Sequence, residues 1–222
     1  MHDTKHILIV VTAHDRIDAD HPTGLWFEEF AVPYRLFRDA GCRMTVASPK
    51  GGPAPLDPRS APDAAHATEH ADALRALAAT RALREVRSDA FDAVFFPGGH
   101  GTMYDLPTAD VGRVVADFAA AGKIVAAVCH GPAALTAAAR ADGTPVVRGR
   151  RVTGFTNEEE RAVQLDRLMP FLLEDRLRAL GAEYVAAAPW SDHVIVDGGL
   201  ITGQNPQSSA GVARAVLAAF TR

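Results

Sequence analysis

The 222-residue sequence predicts one α/β domain spanning residues 1–222: a doubly wound, mostly parallel sheet with helices on both faces and a late β-hairpin. Three observations predict it. Short apolar runs alternate with helical patterns along the chain, as in repeated strand–helix units. The runs are continuously apolar, as in strands covered on both faces. Near the end, two short β-rich runs flank an Asp-Gly-Gly turn.

The elements follow in order. His6-Ile7-Leu8-Ile9-Val10-Val11 is a buried strand, and Gly24 to Ala40 is helical, ended by Gly41. Pro33 marks a kink within that helix. Met44-Thr45-Val46-Ala47, Ala93-Val94-Phe95-Phe96 and Ile124-Val125-Ala126-Ala127-Val128 are further strands. Helices fit Val111 to Ala121, Pro132 to Ala139, Glu158 to Leu180 and Gln207 to Phe220. His193 to Val196 and Leu200 to Thr202 form the hairpin around Asp197-Gly198-Gly199. The proline-rich stretch from Gly51 to Asp63 reads as a surface excursion rather than a linker. This succession of strands is flavodoxin-like.

Composition narrows the function. The net charge of −4 carries no basic footprint, so no nucleic-acid partner is expected. No apolar run approaches the roughly 20 residues that span a membrane. The first residues carry no secretory signal, and a cytoplasmic protein is expected. Two cysteines, Cys42 and Cys129, with no C-x-x-C, argue for free thiols rather than a disulfide framework.

Chemistry concentrates at Ala126-Ala127-Val128-Cys129-His130-Gly131-Pro132. A buried strand runs into Cys129, and a helix is expected to start at Pro132, where proline is well tolerated. Only a tight turn fits between them, with small residues on either side, as in a nucleophile elbow carrying cysteine in place of serine. A helix N-terminus aimed at the sulfur would favour thiolate. Phe96-Pro97-Gly98-Gly99-His100-Gly101-Thr102 follows a neighbouring strand. Its Gly98 and Gly99 N–H groups could stabilise an oxyanion formed at Cys129, and His100 would line the same pocket. The spacing is not that of a dinucleotide or P-loop motif, which argues against nucleotide binding.

Two further carboxylates stand out. On the helix from Gly24, Glu29 falls within the apolar sector, whereas Glu28 falls on the polar side. A buried carboxylate has a raised pKa and could shuttle protons beside the cysteine. His130 needs an orienting acid, and Glu158, Glu159 and Glu160 all lie in one candidate helix start. There Thr156 or Asn157 would cap the helix, with Glu159 or Glu160 completing a capping box. His66 and His70 lie four apart without a third ligand, so no metal is expected. Cys42, in a helix-to-strand turn, is expected to be structural or partly exposed.

These motifs, together with Thr23-Gly24 and Glu29, Val152-Thr153-Gly154-Phe155-Thr156 and Leu200-Ile201-Thr202-Gly203-Gln204-Asn205-Pro206, resemble the PfpI-like superfamily. That superfamily has the class I glutamine amidotransferase-like fold. The resemblance runs over nearly the whole chain. It is closest to the branch of glutathione-independent glyoxalases (glyoxalase III, or D-lactate dehydratase) and heat-shock holding chaperones. It implies Cys129 as nucleophile, His130 as its neighbour, Glu29 as the pocket glutamate and Glu160 as the third acid, with Glu158 one alternative. It also implies a small aldehyde substrate, a homodimer, and no metal or organic cofactor. A holding chaperone, redox sensor, deglycase or hydrolase of another small electrophile are the alternative activities. No histidine is followed two residues later by glutamate, which argues against a glutaminase.

Overall fold

The computed structural model describes residues 4–221. The strands are β1 (His6–Val10), β2 (Arg43–Ser48), β3 (Arg81–Ala82), β4 (Ala93–Phe96), β5 (Ile124–Val128), β6 (Arg151–Val152), β7 (Glu183–Tyr184), β8 (Val194–Asp197) and β9 (Leu200–Gly203). The helices are α1 (Phe27–Asp39), α2 (Ala64–Glu69), α3 (Ala71–Leu77), α4 (Thr102–Asp105), α5 (Ala109–Ala120), α6 (Asn157–Ala162), α7 (Leu173–Ala179) and α8 (Ser209–Ala219). Seven strands form one sheet in the order β3-β2-β1-β4-β5-β9-β8, and β6 pairs with β7 outside it. All pairs in the large sheet are parallel except β8 with β9. The five central strands therefore follow the flavodoxin order, with the expected hairpin at one edge. Its two-residue turn places Gly198 at φ +57, which suits the first turn position of a tight hairpin.

Continuous apolar strands fit because each face of the sheet is covered. Leu8, Val10, Val94, Phe96, Val125 and Ala127 point into a core shared with Val111, Val114, Val115 and Phe118 of α5. Ile7, Ile9, Ala93, Phe95, Ala126 and Val128 point into the other, against Phe30 and Phe37 of α1 and Val212 and Val216 of α8. Each side chain buried in this way contributes about 1.5–3 kcal/mol, so the alternation of faces fixes strand register.

Several local expectations change. The first helix starts at Phe27, three residues later than Gly24, because Gly24 and Leu25 are extended along Pro55 and Leu56. Pro33 lies inside α1 without ending it. The segment after Cys129 is a seven-residue 3-10 helix, Gly131–Ala137, rather than an α-helix. Glu158 to Leu180 is two short helices, not one. α6 ends at Ala162, Gln164 turns left-handed at φ +62, and α7 begins at Leu173. The amphipathic period continued across that break, which is why the pattern read as one helix. Among the described residues no helix is long and apolar enough to cross a membrane.

Candidate active site

β4 and β5 are neighbours, so the loops after Phe96 and Val128 open onto one crevice at the carboxyl end of the sheet. Cys129 is held there in left-handed backbone, φ +59, which costs about 1–2 kcal/mol for a side chain with a Cβ. The ladder pins the turn from both sides. Cys129 N–H donates to Gly203 O at 3.0 Å, and Phe155 N–H donates to Cys129 O at 2.8 Å. Gly131 is required because a Cβ there would lie 2.0 Å from Phe96 O. The tight turn expected from the sequence is there, with Cys129 in left-handed backbone.

The side chains converge on Cys129. His130 Nδ1 lies 3.3 Å from its Sγ, and His130 Nε2 lies 2.7 Å from Glu160 Oε2. Glu160 Oε1 lies 2.8 Å from His100 Nε2, and Arg59 Nη2 donates to His100 Nδ1 at 3.1 Å. Because Arg59 can only donate, His100 carries its proton on Nε2 and gives it to Glu160. Glu160 accepts from both imidazoles. Burial alone would raise its pKa, but His130 and His100 hold it well below the usual carboxylate range. The contact of Glu160 with His130 Nε2 orients the ring with Nδ1 toward the Cys129 sulfur. His100 is pushed down to about 4 by burial, by His130 and by Arg59, so it is neutral.

Of the three candidate glutamates, Glu160 therefore meets His130, while Glu158 is exposed. Glu159 completes the capping box with Thr156. Glu28 is exposed and Glu29 is fully buried, as the helix geometry anticipated. Glu29 Oε2 accepts from Gly98 N–H at 2.7 Å, while Oε1 is buried without a partner. Burial pushes the Glu29 carboxyl up to about 8, a rise moderated by the adjoining Cys129 thiol and the Gly98 N–H.

Two expectations are corrected here. Gly98 does not offer its N–H to an oxyanion, because that group holds Glu29. The backbone N–H groups of Gly99 and His130, by contrast, take no acceptor among the described residues. Gly99 sits at φ +101, where a Cβ would lie 2.3 Å from Gly24 O. The expected helix-stabilised thiolate is opposed by its surroundings: burial, the neighbouring Glu29 and the more distant Glu159 and Glu160 push the Cys129 thiol well up. The segment that follows is a seven-residue 3-10 helix, not the α-helix whose dipole that expectation invoked.

A cavity of about 180 Å³ opens onto this cluster, with Trp26, Phe155, Val163, Trp190 and Pro206 opposite the polar groups. Sequence reasoning missed Arg59, Trp26 and Trp190. Arg59 comes from the excursion after Gly51, where Asp57 grips its guanidinium through both oxygens at 2.9 and 2.7 Å. No local periodicity marks such a residue. His100, His130 and Glu160 could together ligate a metal ion, as their ligand atoms lie within 4.8 Å of one another. Each of those atoms is already paired within the cluster. His66 is exposed, and His70, which caps α2 through its N–H to His66 O, is buried and packs edge-on to Phe27; both border one surface cavity. Cys42 is half-buried, and burial raises its thiol.

Known proteins share this arrangement of elements. The DJ-1/PfpI family matches residues 27–219. The glutathione-independent glyoxalase HSP31 of Saccharomyces cerevisiae is 30% identical over 92% of this chain and 93% of its own. The structure of glyoxalase III from Candida albicans superposes with TM-score 0.89 at 26% identity, covering 97% of each chain. Rapid Encystment Protein 24 kDa of Francisella tularensis superposes with TM-score 0.92 at 36% identity, covering 97% of this chain and 99% of that one. With the fold, the elbow and the matched length in agreement, this chain belongs to the DJ-1/PfpI family, within its glutathione-independent glyoxalase branch.

Proposed function

We propose that the protein converts methylglyoxal and water to lactate without glutathione, through a hemithioacetal on Cys129. The observation that carries this reading is Glu29. A fully buried, proton-holding carboxyl, with one oxygen unpartnered, lies against a cysteine thiol at the wall of a small cavity. A structural glutamate would have both oxygens satisfied. A proton carrier between adjacent carbons needs one oxygen free to reach the substrate.

The steps follow from the geometry. As the Cys129 sulfur adds to the aldehyde carbon, His130 Nδ1 takes the thiol proton and Glu29 gives its proton to the aldehyde oxygen. Glu29, now a carboxylate, removes the hydrogen on the former aldehyde carbon. The resulting enediolate places charge on the ketone oxygen, where the Gly99 and His130 N–H groups supply donors. Returning that proton to the ketone carbon, while the hydroxyl proton passes to the neighbouring oxygen, leaves a thioester and a secondary hydroxyl. Water hydrolyses the thioester, releasing lactate and restoring the thiol, and His130 held by Glu160 carries the protons for this step.

The cavity suits a small substrate, since 180 Å³ is well below the roughly 300–1,000 Å³ of pockets for drug-sized ligands. The test is lactate formation from methylglyoxal by wild type, Cys129→Ala and Glu29→Gln, with the lactate enantiomer resolved. Turnover by wild type, and its loss in both variants, is expected. Turnover retained in Cys129→Ala would overturn the reading.

A further inference from the structure

Both tryptophans of the chain line the catalytic cavity, yet they are held differently. Trp26 is fixed by its N–H to Gly98 O and lies under the Arg59 guanidinium. Trp190 stands in the loop before β8. It is 41% exposed, and its backbone is left-handed at φ +63. A bulky residue in that region is strained, and strain of this kind persists only where the surroundings over-determine it. Its indole meets Phe155 edge-on at 5.6 Å, and Phe155 tilts against His130 at 4.5 Å.

Glu159 is what holds it. This carboxylate is fully buried, and no lysine or arginine pairs with it among the described residues. Its Oε1 accepts from Trp190 N–H at 2.9 Å, Asn205 Nδ2 at 2.8 Å and Gln204 Nε2 at 3.2 Å. Its Oε2 accepts from the N–H and hydroxyl of Thr156. Five donors from three separate segments thus fix the Trp190 loop to the helix that carries Glu160. The side chain so placed is large, apolar and half-open to solvent, which serves a bound apolar group better than it serves the core.

We propose that Trp190, positioned by Glu159, is the wall that selects 2-oxoaldehydes by the substituent on their ketone carbon, favouring small alkyl over aryl groups. The proposal rests on the glyoxalase reading for its substrates. The wall itself is testable without turnover.

The experiment compares kcat/KM for methylglyoxal and phenylglyoxal in wild type, Trp190→Ala, Trp190→Phe and Glu159→Gln. Trp190→Ala is expected to shift the ratio toward phenylglyoxal by about tenfold or more, chiefly through KM. Trp190→Phe should fall between, and Glu159→Gln should move the ratio the same way as Trp190→Ala. In a Trp26→Phe background the emission of Trp190 should shift to the red in Glu159→Gln as the loop is released. A Glu159 that served folding alone would lower Tm and leave both the ratio and the emission unchanged. A ratio in Trp190→Ala within about twofold of wild type overturns the proposal.

Alkylation of Cys129 in a Cys42→Ser background separates the two readings. If wild type turns over neither aldehyde, the glyoxalase reading falls, and the wall is judged by thiol chemistry. Trp190→Ala must then accelerate N-phenylmaleimide about tenfold more than iodoacetamide. Equal acceleration of both reagents, or none, overturns it.

Discussion

Replacing Glu29 with glutamine should make the protein's stability less sensitive to alkaline pH, and the size of the effect follows from burial. The unfolded carboxyl ionises near its ordinary 4.5, whereas the folded one is pushed up to about 8. Between those values the folded chain holds a proton that the unfolded chain has lost. Stability from this group is therefore full below 4.5, falls as pH rises toward 8, and levels off beyond. Each pH unit inside that window costs the wild type about 1.4 kcal/mol. From about pH 6 to about pH 8.5 the wild type should lose roughly 2–3 kcal/mol that Glu29→Gln does not. Glutamine keeps an oxygen for the Gly98 N–H but has no proton to lose, so the rest of the site stays comparable. The assay is urea denaturation of both proteins at the two pH values and constant ionic strength, read as a double difference. Other titrating groups are common to both chains and cancel, and burial, the largest influence on the Cys129 thiol, raises it in both proteins. Parallel pH dependence in the two proteins would show that Glu29 is not held protonated, and the acid step assigned to it would fall.

Further outcomes follow from the same geometry. Glu160→Gln should lower kcat by about a hundredfold, because the carboxylate contact that orients His130 is lost, while exposed Glu158→Gln should leave the rate unchanged. Steady-state kinetics on the pair checks the choice of glutamate. Gly99→Ala should destabilise by about 3 kcal/mol or more in urea melts, since its Cβ meets Gly24 O in a left-handed backbone. Phe118→Ala, fully buried on α5, should cost about 3–5 kcal/mol without changing KM for methylglyoxal. His100 is neutral in the fold, with a pKa lowered to about 4 from 6.5, so its contribution is lost as pH falls through that interval. His100→Gln should flatten the acid limb of the stability profile.

Much of this site was legible in the chain because its signals are local. An apolar strand ending in Cys129-His130-Gly131-Pro132 demands a tight turn whatever surrounds it, and the turn is there at φ +59. One residue, about 100° of helix rotation, separates Glu29 from Glu28, and burial follows that angle. The hairpin at Gly198-Gly199 is likewise a matter of two residues and their backbone freedom. From Glu158 to Leu180 the apolar period runs on across the break between α6 and α7, and it outweighed the local breaker Pro170 that lies within that break.

The sequence by itself therefore determined the sheet class, the tight turn at Cys129, and the buried carboxylate of Glu29. Only the tertiary structure decided which of three adjacent glutamates serves His130 and which one ties down Trp190. It alone showed that Gly98 is spent on Glu29, that Arg59 reaches His100 from a loop 41 residues away, and that burial beside Glu29 pushes the Cys129 thiol up. The physical reason is separation along the chain. Turn geometry and helix period act over a few residues, whereas desolvation and hydrogen-bond partners depend on which distant segments close over the site.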